Sequence, residues 1–104
     1  TEKLASVVDN LVSNALKYAR SEVRIALDRA ADGGVRLEVG DDGRGVPREL
    51  HERIFEEGFQ VPGSLPGNGI GLFSVRRAVL EHGGAVSVES EPGKGARFVV
   101  RLPD

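Results

Sequence analysis

Two pairs of alternating segments constrain this chain more than any other feature. Val23, Ile25 and Leu27 alternate with Arg24, Ala26 and Asp28, and after Asp32-Gly33-Gly34 the pattern resumes with Val35, Leu37 and Val39. Val86 and Val88 open a second pair, which turns at Glu91-Pro92-Gly93-Lys94-Gly95 and closes with a strand over 97–102. Period-two alternation marks a strand with one face on a core, so 23–30 reads as a half-buried strand. Connections this short join antiparallel neighbours. A doubly wound parallel sheet, which needs helical crossovers, does not fit.

Helical patterns supply a second layer. Leu4, Val7, Val8, Leu11, Val12, Ala15 and Leu16 recur at helical spacing over residues 2–20 and form one apolar face. A second helix is predicted over about 70–82, stopped by Gly83-Gly84. A short one runs from Pro47 to Phe55, with proline in its first turn. Residues 56–71 carry Pro62, Pro66 and a run of glycines and read as loop. The expected fold is α/β: a two-layer sandwich of a mixed, mainly antiparallel sheet with about three helices on one face.

Composition narrows the function. With 104 residues there is enough chain for one core and not two. Fourteen basic against sixteen acidic residues give a net charge of −2, a poor match to nucleic acid, whose phosphates call for basic excess. The absence of cysteine excludes a disulfide framework, a thiolate metal site and a cysteine nucleophile. No apolar run approaches the ~18 residues of a membrane span, so no membrane contact by the domain itself is expected. The chain opens on Thr1 and has no methionine, which points to a single domain, 1–104, cut from a longer protein.

Three polar constellations stand out. Asn10, Asn14, Lys17 and Tyr18, at i, i+4, i+7 and i+8, share one stripe of the first helix. Amide oxygens beside water and phosphate suit Mg²⁺, and the lysine suits a phosphate oxygen; a polar helix face in water has the same pattern. Asp41-Asp42-Gly43-Arg44-Gly45 follows a strand. A carboxylate there can accept a hydrogen bond from an exocyclic amine and so tell adenine from guanine; an ordinary turn has the same composition. Gly67-Asn68-Gly69-Ile70-Gly71-Leu72 opens a helix, where unpaired N–H groups on glycine backbone make an anion site. Without a following Gly-Lys-Ser/Thr it is no Walker loop, and without a strand before it no dinucleotide fingerprint; a flexible loop is the plain alternative.

In this order and spacing the constellations resemble the ATP-binding domain of sensor histidine kinases, in the superfamily shared with gyrase, Hsp90 and MutL. Asn10-Leu-Val-Ser-Asn14-Ala-Leu-Lys17-Tyr18 is similar to the family's asparagine box, and Asp41-Asp-Gly43-Arg-Gly45-Val to its first glycine box. Arg53-Ile-Phe55-Glu-Glu-Gly-Phe59 is similar to its phenylalanine box, Gly67-Asn-Gly69-Ile-Gly71-Leu72 to its second glycine box, and Gly93–Pro103 to its closing strand pair. The resemblance spans the chain and implies a Bergerat-type ATP-binding fold with ATP and Mg²⁺ as cofactors.

It also implies roles. Asn14 is the main Mg²⁺ ligand with Asn10 beside it. Lys17 contacts phosphate, and Tyr18 lies near the nucleotide. Asp41 accepts from the adenine amine, and Gly43 lets the base sit close. Gly69 and Gly71 present N–H groups to the phosphates, and Gly45, Gly67 and Leu72 complete the nucleotide-binding set. Phe55 and Phe59 anchor a lid over roughly 58–68 and also pack in the core. The implied activity is histidine kinase signalling in a two-component system. The γ-phosphate passes to a histidine on a separate dimerisation domain, through which the kinase dimerises. It then passes to an aspartate on a response regulator receiver domain, and the expected location is cytoplasmic.

The chain also departs from the pattern. The hydrolysing relatives carry a glutamate base where Asn10 stands, and an amide accepts no proton at neutral pH. That disfavours a self-sufficient ATPase and favours presenting phosphate to another nucleophile. The lid segment has no Lys or Arg, and Gln60 offers only a neutral donor. Ala96 stands where many relatives have threonine. His51 and His82 lack a long dimerisation helix and read as surface histidines, so the phosphoacceptor lies outside this chain. Arg76 and Arg77 read as solvated. A serine-kinase anti-sigma factor, a clamp ATPase and a degenerate docking module are the rival readings.

Overall fold

The structure, a computed structural model, describes residues 2–31, 33–59, 70–90 and 93–103. Helix α1 (Glu2–Tyr18) leads into strands β1 (Val23–Arg29) and β2 (Val35–Asp41). Two 3₁₀ turns follow, Arg48–Leu50 and Arg53–Phe55, then helix α2 (Ile70–Glu81) and strands β3 (Ala85–Ser90) and β4 (Ala96–Leu102). The strands form one open sheet in the order β1-β2-β4-β3. Among the described residues all its pairings are antiparallel. Both hairpins form as their turns predict. The second returns through α2 so that β4 lies antiparallel to β2, which puts those two strands at the centre.

The core lies between the sheet and its helices. Val7, Leu11 and Ala15 of α1 and Val75 and Val79 of α2 meet Leu37 and Val39 of β2 and Phe98 and Val100 of β4. Complete burial of Leu11 is worth about 2 kcal/mol relative to exposure. Phe55 is buried with its ring edge-on to Phe98, centroids 6.1 Å apart. The single helix predicted over 47–55 is thus two 3₁₀ turns that drive Ile54 and Phe55 inward. The stop at α2 is a Schellman motif: Gly84 N–H donates to the Val79 carbonyl, Gly83 N–H to that of Leu80, and Gly83 has φ +77°.

Two expectations change at the edges. Strand β1 is exposed on both faces instead of half-buried. Ile25 and Leu27 stand opposite Val39 and Leu37 on the helix side, yet remain 57% and 67% exposed, because α1 lies over β2. The apolar face of α1 is likewise narrower than its sequence stripe, with Leu16 66% exposed. On the helix-free face, Val99 is fully buried beneath ion pairs that link Glu38 to Arg36 and Arg97, and Arg97 to Glu89. Among the described residues no helix is long and apolar enough to cross a membrane.

Candidate functional site

Strand β2 ends at Asp41, and four segments of chain converge there. The Asp41 carboxylate is half-buried and accepts the Gly43 N–H at 2.8 Å, with a second backbone hydrogen bond from Ala96. Burial pushes its pKa up from the ordinary carboxylate value, the two N–H groups pull it partly back, and neighbouring Asp42 adds to the rise. The anion is therefore held in place by backbone donors while partly desolvated, and a carboxylate has acceptor capacity for a further N–H.

Two glycines let the segments close up on Asp41. A Cβ on Gly43 would lie 2.2 Å from the Tyr18 carbonyl oxygen, so the chain itself demands glycine where the end of α1 meets the loop. A Cβ on Gly95 would lie 2.0 Å from the Asp41 carbonyl oxygen, and Gly95 has φ +83°. The loop is tied on both flanks. Asp42 Oδ1 accepts the N–H groups of Arg20, Ser21 and Glu22 at 2.8–3.1 Å, and Oδ2 accepts the Ser21 hydroxyl at 2.6 Å. These bonds hold the Asp42 carboxyl well below the usual carboxylate range, the Ser21 hydroxyl and N–H contributing most. They also satisfy the N–H groups beyond Tyr18, where α1 stops short of the predicted residue 20. On the other flank the Val46 N–H donates to Ser90 Oγ at 2.7 Å, Ser90 donates to the Gly95 carbonyl at 2.8 Å, and Gly93 N–H donates to the Arg44 carbonyl at 2.6 Å.

Helix α1 brings its polar row to this corner. Tyr18 adjoins Gly43, the Lys17 ammonium lies 5.4 Å from the Tyr18 ring centre, and the Arg44 guanidinium lies 5.8 Å from it. Asn14 and Asn10 continue the same helix side one and two turns back, both half-buried. Asn10 donates to Ser6 Oγ at a long 3.4 Å. Among the described residues no group of three His, Cys, Asp or Glu side chains could hold a metal. The oxygen donors of the row are the amides of Asn10 and Asn14, a donor type that suits Mg²⁺ shared with phosphate and water.

The structure thus brings together Asp41, Gly43 and Tyr18, with Lys17, Asn14 and Asn10 on the helix that ends at Tyr18 and Gly45 in the same loop as Gly43. Gly45 has φ +78°. Gly71 and half-buried Leu72 lie in the first turn of α2. Gly67, Gly69 and the lid beyond Phe59 lie outside the described residues. Half-buried Phe59 packs against the core beneath the Arg53 guanidinium. His51 Nε2 and His82 Nδ1 each hydrogen-bond a backbone carbonyl, of Val46 and Ala78. Arg76 sits over the Phe55 ring, 3.8 Å from Glu52, and Arg77 lies 3.4 Å from Glu81. The sequence reading missed Asp42 and Ser90. Their only signal is being short polar side chains at strand ends, which turns share.

Comparison with known proteins identifies the family. The family model described as histidine kinase-, DNA gyrase B-, and HSP90-like ATPase matches residues 1–104. The sensor protein DivL of Caulobacter vibrioides is 43% identical over 104 residues, covering 99% of this chain and 13% of DivL. The alginate biosynthesis sensor protein KinB of Pseudomonas aeruginosa is 38% identical over 97% of this chain and 17% of KinB. The chain therefore spans less than a fifth of these two relatives. Among solved structures, full-length ShkA in complex with AMPPNP superposes with a TM-score of 0.89 at 35% identity, over 97% of this chain and 21% of ShkA. The mycobacterial sensor histidine kinase MprB gives 0.90 at 30% identity, over 98% of this chain and 72% of that one. The fold, the order of the boxes and the family match agree: the chain belongs to the histidine kinase-, DNA gyrase B- and HSP90-like ATPases.

Proposed function

We propose that this chain is the ATP-binding catalytic domain of a two-component sensor histidine kinase. The observation that supports it most is Asp41, a half-buried carboxylate oriented by backbone N–H groups beside the end of the helix that carries Asn10, Asn14 and Lys17. Asp41 would accept from the adenine N6 amine, and guanine, which has a carbonyl there, would be refused. Asn14, with Asn10, would hold Mg²⁺ through amide oxygens, and Lys17 would contact phosphate. Tyr18 would lie near the nucleotide, and the second glycine box would offer N–H groups to the phosphates. Bound Mg²⁺ would supply charge neutralisation at the phosphates.

Asn10 provides no base for water, so the residues suit positioning of the γ-phosphoryl group for an external nucleophile. That nucleophile would be a histidine on a separate dimerisation domain, with a response regulator receiver domain next in line and a cytoplasmic setting for both. His51 and His82 each commit one ring nitrogen to a backbone carbonyl and lie outside the Asp41 corner, which supports an acceptor elsewhere.

The test is thermal unfolding with a non-hydrolysable ATP analogue or GTP, in Mg²⁺ or EDTA, on wild type and Asp41→Ala. A ligand at about 100 times its Kd adds roughly 2.7 kcal/mol, a shift on the order of ten degrees for a domain this size. The expected result is a Mg²⁺-dependent shift for the ATP analogue, small for GTP and lost in Asp41→Ala. No shift with any nucleotide would leave the docking-module reading standing. A positive result leads to phosphotransfer assays with a dimerisation domain.

A further inference from the structure

We infer that Ser90 and Asp42 are positioning residues for base recognition: from opposite flanks they fix the loop that aims the Asp41 carboxylate. The inference rests on the proposed reading of Asp41 as the adenine acceptor. Neither residue belongs to the row or glycines expected to touch the nucleotide, and each acts through backbone groups next to Asp41.

The geometry is specific. The Ser90 hydroxyl accepts from Val46 N–H at 2.7 Å and donates to the Gly95 carbonyl at 2.8 Å. One side chain thus joins the far end of the glycine loop to the turn before β4. Gly95 precedes Ala96, whose backbone hydrogen-bonds the Asp41 carboxylate, and the loop bears Gly43, whose N–H occupies Asp41 Oδ1 at 2.8 Å. The two donors that orient Asp41 therefore sit on separate segments, and Ser90 sets their spacing. Asp42 fixes the opposite flank, binding the three consecutive N–H groups of Arg20, Ser21 and Glu22 where α1 passes into β1. A carboxylate that reads one amine is sensitive to small displacements, since a hydrogen bond weakens steeply as its angle opens. Loosening either flank leaves Asp41 present and charged but misaimed.

The test measures Kd for ATP and GTP, each with Mg²⁺, by calorimetry on the wild-type chain, Ser90→Ala, Ser90→Thr and Asp42→Asn. Unfolding of each unliganded variant is followed in parallel. Ser90→Ala is expected to weaken ATP about fivefold to tenfold, the scale of one impaired hydrogen bond, and GTP less than about twofold. Ser90→Thr, which keeps the hydroxyl, restores the wild-type ATP-to-GTP ratio. Asp42→Asn, which keeps one acceptor oxygen, narrows the ratio by a smaller factor. Equal losses for ATP and GTP, or an unchanged ratio in a folded Ser90→Ala, overturn the inference. Equal, weak binding of both nucleotides by the wild-type chain refutes the reading of Asp41 itself, a different outcome from a ratio that survives Ser90→Ala.

Discussion

The two ends of the candidate site are built in opposite ways. The Asp41 corner is made of contacts distant in sequence: Asp42 to residues 20–22, Ser90 to Val46 and Gly95, and glycine backbones pressed against the carbonyls of Tyr18 and Asp41. The row of Asn10, Asn14 and Lys17 rests on the periodicity of a single helix. The corner holds its acceptor in place before any ligand arrives, at the cost of tight backbone constraints. The row is ordered by α1, and the contacts described for Asn10 and Lys17, to Ser6 and to the Tyr18 ring, stay on that same helix. Glycine substitutions in the corner should therefore be felt first in stability, and those in the row first in binding.

The glycines give the largest effects. Gly95→Ala combines a left-handed φ with a Cβ 2.0 Å from a backbone oxygen, and Gly43→Ala puts one 2.2 Å from another. Neither oxygen lies at the end of a flexible side chain, so each substitution should cost roughly 3 kcal/mol or more. Gly58 and Gly93 share the positive φ but have open space around the Cβ position, and alanine there should cost only about 1 kcal/mol. Urea unfolding of the four variants checks this. Equal costs for Gly95, Gly58 and Gly93, which share the positive φ, would mean that backbone angle alone, and not the convergence on Asp41, makes the corner rigid.

The two adjacent aspartates come next, with opposite pH signatures. Asp42 has a folded-state pKa below its unfolded value. Its contribution is therefore present above the ordinary carboxylate range and is lost as pH falls through and below it. Asp41 has a folded-state pKa above its unfolded value, so its contribution is present at low pH and is lost as pH rises through the raised value. Asp42→Asn is expected to flatten the acid limb of a stability-versus-pH curve. Asp41→Asn should steepen the rise of stability between the ordinary carboxylate range and neutrality, and should leave the protein at least as stable as wild type at pH 7. Unfolding midpoints from pH 3 to 7 read both slopes. A destabilising Asp41→Asn at neutral pH would show that the corner needs this anion for its own structure.

The same contrast explains what was legible in the sequence. The hairpins, both α-helices and the asparagine row follow from local periodicity and turn residues, and the structure holds them within a residue or two. The exposure of Ile25 and Leu27 was not legible, because alternation reports which face a side chain takes and not whether a helix lies above it. Among the described residues the strand order was not legible either, because β4 joins β2, a pairing between segments more than fifty residues apart. Gly43 stood out as part of a box, but the Tyr18 carbonyl that requires it is 25 positions away. Asp42 and Ser90 were missed for that reason: apart from the Ser21 hydroxyl on Asp42, their partners are backbone groups, which leave no trace in residue identity.

The smallest expected change in stability is the sharpest probe of the row. Asn10 lies mid-helix, where asparagine is a poorer helix former than alanine by about half a kcal/mol. Its described hydrogen bond, to Ser6 Oγ at 3.4 Å, is long and exposed and contributes little. Asn10→Ala should therefore leave the unliganded protein as stable as wild type or slightly more so, a rise of a few degrees at most. The Mg²⁺-dependent part of the ATP-induced shift should fall in the same protein, because an amide oxygen is gone from the proposed metal position. Stability kept and metal-dependent binding lost is the pattern of a side chain retained for a ligand. A clear loss of stability with the Mg²⁺ response intact would make Asn10 a structural residue and erase the distinction between the two ends of the site.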